Sequence, residues 1–380
     1  MKAGNLGPPT EQPELMSTRR DFLATTMAAG FLQSVSAIRS NAETQTPISR
    51  IAFGSCAQQW EPQPIWNSIS RRDPDVFLFL GDAIYGDWHG EEVFSPTRES
   101  LISDWERLAA IPEFAAFRDR IPILATWDNH DYGKHDGGAE FELKDVSKQI
   151  FLDFFGEPEA SMRRKRAGIY DAKVFGPEGQ RTQIILLDTR TFKSPYLIDE
   201  RDKDVKAALN IRGQYLPSID PDATLLGQEQ WDWLEVELSK PAEIRFICSS
   251  TQVVADEKAM EEWGNYPLER QRLFNLIETT NANGVIFLSG NVHYSEISQT
   301  DDAPYVLTDF TSSGMTHSEP GYAELNNAKR IQGPFTGFNF GEVSISWNDP
   351  AGTIVTLTCY DAVGRQQFEQ NVQASELHLE

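Results

Sequence analysis

The sequence is poor in cysteine, in positive charge and in long apolar segments, and each deficit excludes a class of protein. Three cysteines in 380 residues are too few and too scattered for a disulfide framework. Lysine and arginine number 34 against 57 acidic residues, a net charge of −23, which argues against nucleic-acid binding or adhesion to an anionic membrane. Hydrophobic residues still make up 40% of the chain, which excludes global disorder.

One N-terminal segment has the features of a targeting signal rather than of a folded domain. Residues 17–37, STRRDFLATTMAAGFLQSVSA, pair two arginines with a mildly apolar stretch that is too short and too polar for a membrane span. The pattern predicts a twin-arginine export signal with small-residue cleavage points at Ala37 or Ala42. A cytoplasmic amphipathic leader is the alternative. Met16 precedes the segment and is a second candidate start beside Met1.

The leader interpretation sets the expected organisation of the chain. We expect an export signal and leader over residues 1–46 and one domain over residues 47–375, since no internal repeat or low-complexity linker divides the latter. The expected partner of the leader is the twin-arginine export machinery. The expected location is periplasmic or secreted, without stable membrane insertion.

After residue 47, short apolar runs alternate with longer mixed segments, which is typical of an α/β domain. The runs lack a period of two, as expected for strands covered on both faces. At its C-terminal end, each run breaks into Gly, Cys, Asp, Asn or His. In open α/β sheets, ligands bind beyond the carboxyl ends of the strands. The five runs are RIAFGSC (50–56), VFLFLGD (76–82), IPILATWDNH (121–130), IILLDTR (184–190) and VIFLSGNVH (285–293).

Several other segments complete the predicted fold. A sixth strand is predicted at 244–252. From residue 340 onward the pattern predicts two strands, a turn at 350–352 and a third strand. Segment 192–221 is predicted to be a long surface excursion. Covering helices are predicted from three- and four-residue apolar spacing at 97–119, 144–156, 226–238 and 267–280.

The polar strand ends stand in an order that resembles the calcineurin-like metallophosphoesterases and, more narrowly, the PhoD-like alkaline phosphatases. Taken singly these motifs are weak, but the ordered set behind a twin-arginine leader is specific. The resemblance implies a four-layer α/β sandwich of two mixed sheets flanked by helices. The motifs are FGSC (53–56), FLGDAIYGD (79–87), ATWDNHDYG (125–133), FLDFFG (151–156), LLDTR (186–190), YPLERQRL (266–273) and SGNVHYSE (289–296).

The resemblance also implies a centre of ferric iron and calcium that cleaves phosphate monoesters or diesters by attack of a metal-bridging hydroxide. Asp82 would bridge iron to a second cation, and His130 would stand above both. The iron ligands would be Cys56, Asp82, Tyr85 and His293, and the second cation would be completed by Asn129 and Asn291.

The residue types fit this chemistry independently of the resemblance. The two oxygens of one carboxylate, such as Asp82, can be shared by two cations. A phenolate from Tyr85 and a thiolate from Cys56 are anionic ligands suited to ferric iron. A two-metal pair activates water and clamps the attacking and leaving oxygens. His130, as imidazolium, can stabilise developing charge or protonate the leaving alkoxide.

Some residues keep a second interpretation. Tyr85 can be an ordinary loop aromatic, His293 a core histidine, and Asn129 the cap of the turn that begins at Asp128. Arg190 can grip a substrate phosphate as a planar fork or belong to a buried ion pair. Asp87 can reach a calcium ion, but it is expected to be a solvated loop acid. Three neighbours are expected behind the ligands or at the surface: Asp131, His135 and Asp136.

Two departures from the family leave the function open. Family members usually have an acid at the positions of Asn129 and Asn291, although metallophosphoesterases at large use asparagine at the first. Amide oxygens still bind calcium, but the second cation loses two charges. A non-catalytic secreted protein that binds phosphate esters is therefore the alternative. Phosphodiesterase or phospholipase activity is a further alternative. The width of the pocket decides between these activities, and segments 192–221 and 312–339, which would line it, have no sequence pattern that predicts that width.

Overall fold

The computed structural model describes residues 45–90, 92–209, 211 and 213–379. The predicted export signal and both predicted cleavage points lie outside the described residues. Within the described ranges no helix is long and apolar enough to cross a membrane.

The described chain alternates strands and helices throughout its length. The strands are β1 Arg50–Gly54, β2 Val76–Leu80, β3 Trp88–His89, β4 Glu92–Val93, β5 Ile123–Thr126, β6 Asp171–Phe175, β7 Thr182–Leu186, β8 Leu197–Ile198, β9 Tyr215–Leu216, β10 Ile244–Ser249, β11 Val285–Ser289, β12 Ser295–Thr300, β13 Leu307–Ser312, β14 Arg330–Phe335, β15 Asn339–Ser346, β16 Ile354–Asp361 and β17 Gln366–Gln373. The α-helices are α1 Ile65–Arg72, α2 Arg98–Ala109, α3 Pro112–Arg118, α4 Asn129–Tyr132, α5 Lys144–Phe154, α6 Met162–Lys165, α7 Lys203–Ala208, α8 Gly227–Leu238, α9 Pro267–Thr279 and α10 Pro320–Ala323.

Two mixed sheets form the centre of the molecule. The first has the order β17-β16-β15-β1-β2-β5 and the second β14-β12-β13-β11-β10-β7-β6. In the first, β1, β2 and β5 are parallel, and β15 extends the sheet antiparallel to β1. In the second, β7, β10, β11 and β13 are parallel. The C-terminal strands β15 to β17 are the predicted hairpin and third strand.

Strand β2 shows how the layers are built. Its side chains alternate between two cores, although every residue is buried. Leu78 and Leu80 lie in the core between the two sheets, whereas Phe77 and Phe79 lie in the core under helices α1 to α5. Helices α8 and α9 cover the far face of the second sheet. Trp231 of α8 belongs to the same hydrophobic cluster as the residues between the two sheets. The predicted four-layer α/β sandwich is confirmed.

The predicted elements differ from the observed ones at their ends, and helix α1 and strands β6, β12, β13 and β14 were not predicted. The run 121–130 divides into β5 and the short helix α4, because the Asp128 and Asp131 side chains form a capping box at the helix start. The predicted helix 97–119 divides into α2 and α3, with Pro112 in the first turn of the second. Among its described residues, segment 192–221 contains only β8, α7 and β9, and α7 has no buried residue.

Candidate metal centre

Four of the predicted ligands occupy a backbone conformation that is rare for their residue types. Cys56, Asp82, Asn291 and His293 have φ of 61°, 52°, 71° and 60°, in the left-handed region that non-glycine residues seldom adopt. They are half of the eight such residues in the described chain. Each follows the carboxyl end of a buried strand. Strained backbone concentrates at functional sites, so these four positions form a candidate site before any side chain is considered.

The loop that leads from β2 into this site requires a glycine. Gly81 has φ of +97°, and a Cβ atom there would lie 2.4 Å from the Cβ of Asp128. Only a residue without a side chain lets the loop after β2 pass this close to the loop after β5. The close passage brings Asp82 next to α4, where the backbone N–H of His130 donates to Asp82 Oδ1 at 3.2 Å.

One side of the site gathers sulfur, carboxylate and imidazole. Ligand atoms of Cys56, Asp82 and His293 all lie within 4.8 Å of one another. Cys56 Sγ is 3.4 Å from Asp82 Oδ2 and receives a hydrogen bond from Ser313 Oγ at 3.1 Å. Burial raises the pKa of both Cys56 and Asp82 well above their usual ranges, and burial lowers that of His293. A cation would favour the anionic thiolate and carboxylate and the neutral imidazole that binding requires.

A tyrosine, a histidine and a carboxylate lie side by side above this group. The Tyr85 ring stacks on His130 with centroids 4.2 Å apart. His130 Nδ1 lies 2.7 Å from Asp87 Oδ1. Asp87 is fully buried, so the expectation of a solvated loop acid is wrong. Its backbone carbonyl accepts from Phe94 N–H at 2.8 Å, which closes the base of the β3–β4 hairpin.

Asp131 supports the site from behind rather than facing it. Its carboxylate accepts hydrogen bonds from the backbone N–H groups of Asp82, Ala83, Ile84 and Asp128, at 2.5 to 3.1 Å. One side chain thereby joins the loop after β2 to the loop after β5. This is the location behind the ligands that the sequence predicted.

The two asparagines carry their amide groups in similar surroundings. Asn129 Nδ2 donates to Asp136 Oδ1 at 3.4 Å, and Asn291 Nδ2 lies 3.5 Å from Glu261 Oε2. Asn129 Oδ1 is buried and has no hydrogen-bond partner among the described residues. A carboxylate that holds the NH₂ group of an amide leaves the carbonyl oxygen for a cation. Asp136 also accepts from the Tyr215 hydroxyl.

Arg190 lies at the centre of a buried charge network. The side chain is fully buried; its Nε donates to Asp128 Oδ1 at 2.7 Å, its Nη2 contacts the same oxygen, and its Nη1 donates to Glu261 Oε1 at 2.5 Å and to Gly137 O at 3.4 Å. These contacts engage all three nitrogens. The geometry favours the buried ion pair over a grip on substrate.

Sequence reasoning missed Glu261 and His317. His317 Nε2 is 3.0 Å from the Tyr85 hydroxyl and 3.2 Å from His293 Nε2. Neither residue follows an apolar run with a recognisable motif. The available signal was rarity, because the chain has only six histidines and four of them form two contacting pairs in this region: His130 with His135, and His293 with His317.

The donor set fits a metal centre. Buried oxygens without a hydrogen-bond partner among the described residues include Asp87 Oδ2, Asp128 Oδ2 and Asn129 Oδ1, and leaving such atoms unpaired is costly. A second group of potential metal ligands also has its ligand atoms within 4.8 Å of one another: Asp87, His130 and His135. His135 differs from the others, because 38% of its side chain is exposed.

Comparison with known proteins places the chain in a family. A family model described as PhoD-like phosphatase matches residues 51–348. The chain belongs to the PhoD-like phosphatase family. Among curated relatives, alkaline phosphatase D of Bacillus subtilis is 24% identical over 300 residues, which cover 66% of this chain and 46% of that protein. The chain therefore matches about half the length of this PhoD-like relative.

Solved structures support the same fold. The structure of PhoD matches with a TM-score of 0.62 at 17% identity, covering 88% of this chain and 74% of that one. Purple acid phosphatase PPD1 from yellow lupin (Lupinus luteus) seeds matches with a TM-score of 0.56 at 14% identity, covering 88% and 55%. GAP50, described as the anchor in the inner membrane complex of Plasmodium, matches with a TM-score of 0.52 at 11% identity, covering 88% and 90%. At these identities the likeness concerns the fold alone.

Proposed function

We propose that the chain is an exported metal-dependent phosphatase that hydrolyses phosphate monoesters, diesters or both. Membership of the PhoD-like phosphatase family supports a phosphoric ester hydrolase. The observation that carries the proposal is the convergence of Cys56, Asp82 and His293 within 4.8 Å at strained strand ends, with Tyr85 and His130 beside them. Export rests on segment 17–37 of the sequence alone.

The ligand assignment follows the donor types. Iron(III) would be held by Cys56, Asp82, Tyr85 and His293, because thiolate and phenolate are anionic donors suited to it. Calcium would be held by Asp82 with Asn129 and Asn291, since amide and carboxylate oxygens are its preferred ligands. When bound, such a pair supplies Lewis-acid polarisation of the phosphoryl group and lowers the pKa of a water molecule.

The protein's own contribution to proton transfer centres on His130. The Asp87 carboxylate at Nδ1 fixes the ring orientation, which directs the other ring nitrogen away from Asp87 as a proton donor. Stacking on Tyr85 places that ring beside the proposed iron ligand. His130 would therefore deliver the proton that the leaving alkoxide needs.

Replacing Asp87 by asparagine is expected to reduce hydrolysis in a way that depends on the leaving group. An amide keeps a hydrogen bond to Nδ1 but removes the negative charge beside the ring that donates the proton. For an alkyl phosphate, whose leaving alkoxide needs a proton, kcat should fall about 100-fold. For 4-nitrophenyl phosphate, whose leaving group departs as an anion, kcat should fall less than about tenfold. Asp222→Asn, in an exposed turn, is the control. Equal losses for the two esters would contradict a role through His130.

A binding protein without turnover is the second candidate. Its support is the pair of neutral amides, Asn129 and Asn291, at the second cation. The fold does not separate the two functions, because its matches include a phosphatase and a protein described as an anchor. The discriminating property is turnover by the protein with metals loaded.

The deciding experiment measures metals and turnover in the same preparation. The mature protein is purified aerobically, its metals are quantified by mass spectrometry, and hydrolysis of a chromogenic monoester and a chromogenic diester is followed with added calcium. We expect near-stoichiometric iron and turnover that a calcium chelator abolishes and calcium restores. Iron without turnover on either ester would overturn the phosphatase in favour of the binding protein, and Asn129→Asp with Asn291→Asp would then test whether the lost charges are the reason. The ratio of monoester to diester rates decides between phosphatase and phosphodiesterase activity.

A further inference from the structure

His317 contacts the candidate centre although it belongs to none of its motifs. It lies in the segment after β13, and its ring meets His293 at a centroid distance of 4.2 Å and Tyr85 at 5.3 Å. The ligand atoms of Cys56, Asp82 and His293 lie within 4.8 Å of one another, and His317 is not part of this group. His317 therefore adjoins the proposed iron ligands without being one of the set.

The segment that carries His317 is tied to the loop that carries Cys56. The backbone N–H groups of Gly314 and Met315 each donate to Ser55 O at 3.2 Å, and Thr316 N–H donates to Cys56 O at 3.4 Å. Gly314 has φ of +97°, and a Cβ there would lie 2.6 Å from His317 O, so the turn that presents His317 needs glycine. The ring is thus positioned relative to the centre by backbone contacts.

The second ring nitrogen of His317 has its own partner. Nδ1 lies 3.2 Å from Thr316 Oγ1. That hydroxyl accepts from Gln58 N–H at 2.8 Å, and its single proton has two acceptors, Cys56 O at 3.4 Å and the nearer His317 Nδ1. A neutral imidazole that accepts at Nδ1 carries its proton at Nε2, the atom 3.0 Å from the Tyr85 oxygen.

Only this tautomer suits a phenolate. A neutral Tyr85 hydroxyl can donate to His317, but a phenolate has no proton and must accept. Tyr85 is buried, so its oxygen depends on partners within the protein rather than on bulk water. A hydrogen bond from the Nε2–H group of His317 would stabilise the phenolate oxygen in addition to a bound cation.

We propose that His317 is a positioning residue that donates a hydrogen bond from Nε2 to the Tyr85 phenolate when iron is bound, with Thr316 fixing the tautomer. The proposal rests on the proposed function, since it concerns the iron ligand assigned there. It adds a residue outside the predicted ligand set that tunes how strongly Tyr85 donates to iron. Partners of this kind change metal affinity or activity by about 10- to 100-fold when removed.

The test compares iron-loaded wild type with His317→Phe, which retains a ring but no donor, and His317→Gln, whose amide can donate. The readouts are the visible phenolate-to-iron charge-transfer band, iron affinity by chelator competition, and kcat. Loss of the hydrogen bond raises the energy of the phenolate electrons, so His317→Phe should shift the band to longer wavelength and weaken iron binding about tenfold. His317→Gln should restore most of both. His378→Phe, at an exposed position, should match wild type.

Each other outcome has a defined meaning. An unchanged band and iron affinity in His317→Phe would overturn the proposal. Loss of iron from the Phe variant alone would support it, whereas equal loss from His317→Gln would overturn the donor role. Iron-containing wild type without a phenolate band would also overturn it, because no phenolate would be present to stabilise. Ester hydrolysis by that same preparation would leave the proposed phosphatase standing, so the two failures are distinguishable.

Discussion

Replacing Asp82 by asparagine is expected to lower kcat/KM for phosphate esters by roughly 1,000-fold, the largest effect on activity we predict. The variant keeps the size of the side chain but removes the charge that two cations would share. Loss of one shared ligand disturbs both metals, and each supplies several kcal/mol of transition-state stabilisation, while each 1.36 kcal/mol is about tenfold in rate. The measurement is steady-state hydrolysis together with bound iron and calcium by mass spectrometry.

The stability of the same variant separates a lost ligand from a lost fold. Asp82 is buried beside two other carboxyl groups, those of Asp128 and Asp131, so without metal its charge is unfavourable. The backbone contact from His130 to Oδ1 can be kept by the amide oxygen. The metal-free Asp82→Asn protein should therefore melt no lower than metal-free wild type. Asp222→Asn, in an exposed turn, should leave both activity and metal content unchanged.

Retention of activity by Asp82→Asn would remove the basis of the proposed centre. A drop in activity together with a drop in the melting temperature of the metal-free protein would instead assign Asp82 a structural role. Only loss of metal and activity in a protein of undiminished metal-free stability supports a shared ligand.

The sequence predicted the continuously apolar strands because their signal is local, but it did not predict β6, β12, β13 and β14 of the second sheet. A run such as VFLFL is buried on both faces, and continuous burial is visible in the run itself. The point where each run breaks into polar residues was predicted for the same reason. A strand end is a property of neighbouring residues. Cys56 and Asp82 follow adjacent strands of the first sheet, β1 and β2, whereas His293 follows β11 of the second sheet, so the packing of the two sheets brings it to the other two.

Residues that reach the site from loops were predicted poorly. Asp87 was expected to be a solvated acid, yet it is buried against His130 at the base of the β3–β4 hairpin. Glu261 and His317 come from segments without an apolar period, and contacts about 70 and 230 positions apart in the chain bring them in. Such contacts depend on how loops cross, which composition and periodicity do not encode. For Arg190 the sequence left two roles open, and the geometry favours one of them.

Replacing Arg190 by methionine is expected to lower the free energy of unfolding by about 3–5 kcal/mol, the largest effect on stability we predict. The guanidinium is fully buried between Asp128 and Glu261. Methionine fills part of the volume but leaves two buried carboxylates without their cation, and removing one partner of a buried ion pair costs this much. The measurement is urea unfolding of the metal-free proteins, with Arg120→Met as the control. Arg120 lies 3.9 Å from Asp73 in a pair with 56% and 82% exposed side chains, for which we expect less than about 1 kcal/mol.

A second substitution tests whether the unpaired charge is the cause. In Arg190→Met with Glu261→Gln, one of the two orphaned carboxylates is neutral, so part of the lost stability should return. The same proteins separate the two roles that the sequence allowed. A residue that grips substrate phosphate would raise KM for the ester and leave unfolding unchanged when it is replaced. That result would contradict the ion pair and return Arg190 to the substrate, whereas a destabilised protein rescued by Glu261→Gln establishes that its positive charge holds the loops after β5 and β7 together behind the proposed metals.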